Sequence, residues 1–459
     1  MPSASRDASP TCEEFEALMR PLEVLRTIAL GVSGGADSMS LLLLSAHWRK
    51  RKLRQGQTPP EIIVFSVDHG VRATAGQEAE NVVRTAKEHG CRGEVLRIEE
   101  PPPRQNKQAA LRERRYALLC RRCREENIDV LLLAHHLEDQ AETFLLRLAR
   151  GSGVDGLASM SRESMRHGVR LYRPLLEFPR ARLRAYLEQE NVAWLEDPSN
   201  RDASYARVRW RKLLEPLARE GLDANRLAKT ARSMARARTA LEETSFAHLR
   251  RYARLMEAGY ANFSRDLLRD APDEIVLRSL SRLLMAVGGR FYAPRLSNLE
   301  HALESLRESP RTNGKTLGGC KIFSDRQGEG FFVIREPAAA ASAAPVRLNG
   351  AGGGENFGLW DGRFRVFSTD SADSNFAENL EVRALGEEGA SRCGASAERL
   401  RPALIRYGLP ALWREGELVG APHLATGHNL PVRFVLNRPR GLETSTYSVA
   451  PHTHTERSR

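Results

Sequence analysis

Four short apolar runs, at residues 27–32, 61–67, 93–98 and 129–134, are rich in Val, Ile and Leu. Each is followed by a stretch whose apolar positions recur at helical spacing, which predicts βαβ units and a parallel sheet. In open sheets of this kind a ligand sits beyond the carboxyl ends of the strands. Residues 33–38, Asp68 with His69, and 135–142 are therefore expected to converge. From about residue 217 to 308 the pattern turns helical, with Arg and Ala recurring through 224–241. Further strand-like pieces lie at 330–334 and 363–367, and between them a run of Ala and Ser bounded by Pro337 and Pro345 reads as a linker. The expected fold is α/β: a Rossmann-like parallel-sheet domain over 1–217, then a mainly helical domain over 218–335. A linker over 336–345 and a smaller α+β domain over 346–459 complete it. No internal repeat is visible, and the polar tail 444–459 is expected to fray.

Composition narrows the class. With 459 residues and 41% hydrophobic positions the chain can bury real cores, in two or three domains. The net charge of +12 and a pI of about 9.7 favour a polyanionic partner, nucleic acid foremost, although a merely basic soluble protein fits the charge equally well. Six cysteines without framework spacing suggest a reducing compartment. The polar start, followed by Glu13, Glu14 and Glu16, fits neither a secretory signal nor an Arg-rich transit peptide. Apolar runs such as 41–44 and 130–134 fall far short of the roughly 20 residues a membrane helix needs. A soluble cytoplasmic protein is expected.

Candidate chemistry begins at the first strand, which runs into Ser33-Gly34-Gly35-Ala36-Asp37-Ser38 and then a helix carrying Leu41 to Leu44. Glycines let the backbone approach phosphate closely, and the unpaired N–H groups at a helix start hold the anion. Ser33 and Ser38 can add hydroxyl donors, and Asp37 is placed to hold Mg²⁺ against phosphates. A Gly-Gly turn alone is common at βα junctions, but the full strand, Ser-Gly-Gly-x-Asp-Ser, helix order is far more specific. Gly314-Lys315-Thr316 imitates the end of a Walker loop, yet Ser309 stands where the earlier glycine belongs and no apolar strand precedes it, so it reads as a turn.

The loop from Ser33 to Ser38 resembles the pyrophosphate loop of the N-type ATP pyrophosphatases (PP-loop proteins), which cleave ATP between its α and β phosphates. Further motifs narrow the resemblance. They are Val67-Asp68-His69-Gly70-Val71-Arg72, then His135-His136-Leu137-Glu138-Asp139-Gln140-Ala141-Glu142-Thr143, and Arg173-Pro174-Leu175. Glu196-Asp197-Pro198-Ser199-Asn200 follows, with Asp202, Tyr205, Arg207, Arg209 and Arg211 beyond it. In this order they resemble the tRNA(Ile)-lysidine synthase family, strongly over about residues 25–217 and elsewhere only in layout. The resemblance implies ATP and Mg²⁺ as cofactors. It also implies adenylation of C2 of the wobble cytidine in a CAU-anticodon tRNA(Ile), and attack there by the ε-amine of free L-lysine. AMP then leaves, and codon reading changes from AUG to AUA. It further implies that Arg207 closes over the ATP phosphates and that the protein forms a homodimer.

A lysine nucleophile must lose a proton from an amine whose ordinary pKa is about 10.4. Glu138, Asp139 and Glu142 supply carboxylates that could bind the ammonium and help remove it, with Glu138 and Glu142 on one helical face. A solvated acidic face is the bland alternative, disfavoured by the two histidines at the preceding strand end. The family usually has Asp where this chain has Glu138. Adjacent histidines do not face the same way, so one of His135 and His136 is expected to contact phosphate or cytidine while the other packs. The expected catalytic set is Asp37, His135, Asp139, Glu142 and Arg207.

Two rivals remain. Related tRNA thiolation enzymes combine this loop with CxxC pairs, and Cys120-x-x-Cys123 supplies one pair here. There is no second pair, and a cluster normally wants at least three thiolates. A vestigial, non-catalytic tRNA-binding protein would not need Ser33, Gly34, Gly35, Asp37 and Ser38 intact. The modules after residue 217 are the expected tRNA-binding surfaces, through Arg and Lys contacts to phosphate. Trp360, Tyr407 and Trp413 could stack on bases, though core packing is the plainer role.

Overall fold

A computed structural model describes residues 9–68, 70, 74–98, 107–196, 206–290, 292–309, 314–348, 356–369, 379–394, 400, 402–424, 426, 430 and 432–437. It consists of two compact units, Met1–Thr239 and Ala240–Arg459. His69, Val71, Arg72, Asp197 to Asn200, Asp202 and Tyr205, all named in the motifs above, lie outside the described residues.

The first unit opens with α1 (Cys12–Met19), β1 (Thr27–Gly31), α2 (Ala36–Arg54), β2 (Glu61–Asp68), α3 (Ala75–Glu88) and β3 (Arg92–Arg97). It continues with α4 (Lys107–Glu125), β4 (Val130–Leu133), α5 (Leu137–Leu148), α6 (Val154–Leu157), β5 (Glu163–Arg166) and β6 (Val169–Tyr172). Then come α7 (Arg180–Gln189), α8 (Ala206–Arg219) and α9 (Ala224–Tyr252), whose last turns belong to the second unit. The strands form one sheet in the order β3-β2-β1-β4-β6-β5, parallel except for β5. Successive residues of a strand point to opposite faces, and the core divides accordingly. Ile28, Leu30, Ile62, Val64, Val130 and Leu132 enter one apolar cluster with the leucines of α2. Ala29, Ile63, Phe65, Leu131 and Leu133 enter the other, with Tyr116, Leu119, Cys120 and Cys123 of α4. Burial on both faces is why these strands read as near-continuous apolar runs.

The strand order reverses between β1 and β4. That is the switch point at which a doubly wound sheet opens a crevice beyond its carboxyl ends. The loop leaving β1 and the segment leaving β4 are the two on which the chemical motifs lie.

The second unit departs from the mainly helical expectation for 218–335. β7 (Ala253–Leu255), β8 (Ala261–Ser264), β9 (Lys315–Leu317), β10 (Cys320–Ser324) and β11 (Gly330–Arg335) form an antiparallel sheet in the order β7-β8-β11-β10-β9. Its core is shared with α10 (Asp273–Gly288) and α11 (Leu296–Glu308). The expected linker also behaves otherwise. Residues Pro337–Ala341 form a short helix with Ala340 buried. Across it, Arg335 and Arg363 both clasp the buried Asp361 carboxylate, Arg363 from 2.7 Å. The proline-bounded run thus joins parts of one body, with further antiparallel sheets of four and three strands following it. Trp360 and Trp413 are buried and Tyr407 packs against the core, which is the plainer of the two roles considered for them. Among the described residues no helix is long and apolar enough to cross a membrane.

Candidate active site

The β1–α2 junction is shaped for an anion. Gly34 sits at φ +85°, a conformation costly to residues with a Cβ. A Cβ there would stand 2.7 Å from Leu195 Cδ1. Gly35 precedes the first helical residue, Ala36, without a side-chain cap, so the N–H groups of Ala36 and Asp37 remain open, while that of Ser38 donates to Gly35 O at 3.0 Å. The turn is held from both sides. Ser38 Oγ accepts from Ser33 N at 3.1 Å and donates to Gly35 O at 2.9 Å, and Leu195 N donates to Gly34 O at 2.9 Å. Ser38 is thereby committed to the loop's own geometry, while the Ser33 hydroxyl lies 3.3 Å from it.

Beside this loop stands His136, 3% exposed, at the start of α5. Its Nδ1 is 2.9 Å from Glu138 Oε2, and its Nε2 is 3.4 Å from Asp37 Oδ2 and 3.7 Å from Asp139 Oδ2. Its backbone N–H donates to Asp139 at 3.1 Å. Burial alone would lower the pKa of this ring, but the Asp139 charge and the contacts to Asp37 and Glu138 outweigh it and raise the value to about 10. His136 is therefore an imidazolium at neutral pH, a fixed cation among three carboxylates. Burial acts on Asp139 in the upward direction, yet the His136 charge, the His136 backbone N–H and Arg207 hold its pKa below the ordinary carboxylate value.

His135 is the opposite case. Burial and the charges of Arg173, Arg112 and Arg115 outweigh Asp139 and push its pKa down to about 3, so the ring is neutral. Its Nδ1 is buried without a hydrogen-bond partner, and its Nε2 lies 3.4 Å from Arg112. Of the adjacent pair, His136 is the packed one.

One turn further along α5, Glu142 is fully buried and accepts from Arg211 Nε of α8 at 2.7 Å. Burial raises its pKa despite Arg211. Arg211 also feels the charges of Asp139 and Asp37, and the Arg207 charge acts on both Asp139 and Glu142. The expected catalytic residues are thus brought together. Glu138 is drawn elsewhere: besides His136 it accepts from the backbone N–H of Arg180 at 3.0 Å, capping α7. Arg173 is buried and spent on Ser161 O and Ser164 Oγ.

Two residues had no sequence signal. Arg180, in the first turn of α7, places Nε 3.4 Å from Asp37 Oδ1. Arg112 reaches His135 from α4. Only Pro179 just ahead of α7 marks a helix start there, and nothing local ties either arginine to the loop.

Two buried carboxylate oxygens, Asp37 Oδ1 and Glu142 Oε2, have no hydrogen-bond partner. Among the described residues no group of three or more metal-ligating side chains is arranged to hold an ion by itself. A single carboxylate at a phosphate loop nevertheless suits Mg²⁺, which is commonly held by one or two carboxylates plus phosphate oxygens. Cys120 and Cys123 fit a sulfur chemistry poorly. Both are buried in the apolar cluster beneath α4, and burial raises their thiols to about 11 and about 12, away from the thiolate form.

Comparison with known proteins agrees with this geometry. A model described as the PP-loop domain matches residues 9–218. A tRNA(Ile)-lysidine synthase from Ruegeria pomeroyi is 36% identical over 397 residues, covering 86% of this chain and 88% of the relative. Another from Rhodopseudomonas palustris is 39% identical over 340 residues, covering 73% and 95%. A third, from Wolbachia pipientis wMel, is 38% identical over 311 residues, covering 67% and 70%.

Proposed function

The chain belongs to the tRNA(Ile)-lysidine synthase family of PP-loop proteins, and from that premise we propose how its own residues carry the reaction. The enzyme is an ATP-dependent ligase that joins L-lysine to tRNA(Ile). Its target is the wobble cytidine of the CAU anticodon. The O2 oxygen of that base bonds to the α-phosphorus of ATP and pyrophosphate leaves. The lysine ε-amine then bonds to C2, the C2–O bond breaks, and AMP departs as the amine gives up a proton.

The loop from Ser33 to Ser38 binds the ATP phosphates through the open first-turn N–H groups of α2 and the space left by Gly34 and Gly35. Asp37 would hold the Mg²⁺ that accompanies ATP, and the ion would offset phosphate charge there. Arg207 and Arg180 add positive charge around the same carboxylates, and Arg207 closes toward the phosphates. The observation that carries the lysine assignment is the pair Asp139 and Glu142. Glu142 Oε2 is buried without a hydrogen-bond partner, next to an ionised Asp139. That is an environment for an ammonium group and then for its proton. Glu138, with both oxygens engaged, serves as the anchor of His136 and α7, so lysine is held by Asp139 and Glu142. His135, neutral and facing Arg112, contacts the cytidine. The second unit and α9 supply tRNA contacts. All six cysteines are free, which supports a reducing, cytoplasmic setting, and the homodimer implied by the resemblance is part of the same reading.

Asp139→Asn tests the central role while keeping the side chain's size. Lysidine formation should fall by at least about 100-fold, in line with loss of a proton-transfer group, with the chain still folded by circular dichroism. Full activity in that variant would remove Asp139 from the mechanism.

A further inference from the structure

The α5 face of α9 is apolar: Leu227 and Ala231 pack against Ala141, Phe144 and Leu145 of the helix that carries Asp139 and Glu142. The outward face carries Arg226, Lys229, Arg232 and Arg236, all exposed. At about 100° per residue these four fall within an arc of about 120°, centred about 180° from the packed residues. They span about 15 Å of helix at 1.5 Å per residue.

The stripe gathers four cations without counter-charge on a single helix face. Other arginines of the first unit are offset by carboxylates, as Arg51 is by Glu13, Arg122 by Glu126 and Arg162 by Glu177. On the stripe, Arg226 reaches only Gly221 O and Arg236 only Ser233 Oγ. No carboxylate among the described residues pairs with any of the four; the nearby Asp223 accepts from the backbone N–H of Arg226. Four unneutralised cations on one helix face, one helix diameter from the catalytic helix, complement a polyphosphate chain.

We propose that Arg226, Lys229, Arg232 and Arg236 form a docking rail for the phosphodiester backbone of the tRNA, beside the anticodon being modified. The proposal rests on the tRNA-ligase reading above and adds the surface that holds the substrate. Each neutralised phosphate contributes about 0.7 to 0.9 to the slope of log K against log salt. Four contacts therefore account for about 3 of the slope.

The test is tRNA binding by the full chain and by its Arg226→Gln, Lys229→Gln, Arg232→Gln, Arg236→Gln variant, titrated from about 50 to about 200 mM salt. Gln keeps helix propensity while removing charge. The variant's slope should be shallower by about 3, so that the unmodified chain loses about 60-fold more affinity across that range. The KM for tRNA should rise accordingly. If the fourfold variant does not fold, Arg232→Gln with Arg236→Gln should still reduce the slope by about 1.5. An unchanged slope in a folded variant overturns the proposal. So does a variant that keeps its tRNA slope but loses binding to phosphatidylserine vesicles, which would make the stripe a lipid contact. Failure of the unmodified chain to bind tRNA at all would instead bring down the ligase reading itself.

Discussion

Replacing His136 by Gln removes the single buried cation among Asp37, Glu138 and Asp139 while keeping a polar side chain of similar length. The structure sets the magnitude. A histidine whose pKa rises from 6.5 unfolded to about 10 folded stabilises the folded state by about 4 kcal/mol at pH 7. That range agrees with the about 3–5 kcal/mol lost when one partner of a buried ion pair is removed. The sign follows from the direction of the shift. The folded state binds the proton more tightly, so the contribution is fully present below pH 6.5. It drains as pH rises through about 10, where a few tenths of a kcal/mol remain. For a body of 150–250 residues, each kcal/mol moves the melting temperature by about 2–4 °C. Scanning calorimetry of both proteins from pH 6 to pH 10 is the assay. His136→Gln should melt about 8–16 °C lower near neutrality, and the gap should close toward pH 10. Equal melting temperatures, or a gap that does not vary with pH, would refute a protonated His136.

Three further expectations come from the same geometry. Gly34→Ala should cost about 1–2 kcal/mol, because an L side chain at φ +85° is strained. It should also weaken ATP binding by crowding Leu195; melting with and without ATP reads both, and an unaltered pair of melting points contradicts the strained turn. Arg211→Met should leave Glu142 buried without its partner and raise its pKa further. Because the folded state then holds the proton more tightly, the loss of stability should be larger at pH 8 than at pH 5; a pH-independent loss would count against a buried Glu142. Cys120→Ala combined with Cys123→Ala should lower the melting temperature through lost packing while retaining lysidine formation. Loss of activity at unchanged melting would point back to sulfur chemistry.

What could be read from the sequence follows the range of the forces involved. β1, β2 and β4 were legible because parallel strands covered on both faces are apolar at nearly every position, and the edge strand β3 only through Val95 and Leu96. β5 and β6 were not: Glu163–Arg166 is an edge strand with exposed charges, and Val169–Tyr172 is too short to show a period. The loop from Ser33 to Ser38 announced itself because its chemistry is local, a strand end, two glycines and a helix start. The reach of Arg180 to Asp37 and of Leu195 to Gly34 depends on the tertiary course of the chain, which no local pattern encodes. Composition misled at the proline-bounded run after Arg335. Ala and Ser between prolines are the residues of a flexible linker, but they also fit a tight helical turn, and the Arg335, Asp361 and Arg363 cluster binds the flanking segments together. Glu138 was grouped with Asp139 and Glu142 as a candidate lysine-binding carboxylate on helical spacing and on the two histidines that precede it. The α7 N-terminus that occupies it lies far along the chain.

The central claim, that the loop and the α5 carboxylates together attach lysine to a tRNA base at the expense of ATP, is open to one direct measurement. The full chain is incubated with ATP, radiolabelled L-lysine and CAU-anticodon tRNA(Ile), with initiator tRNA as control. The account predicts label on the wobble cytidine of tRNA(Ile), one AMP released for each lysine attached, and no label on initiator tRNA. AMP release without label in tRNA, or no AMP release with all three substrates present, would contradict it.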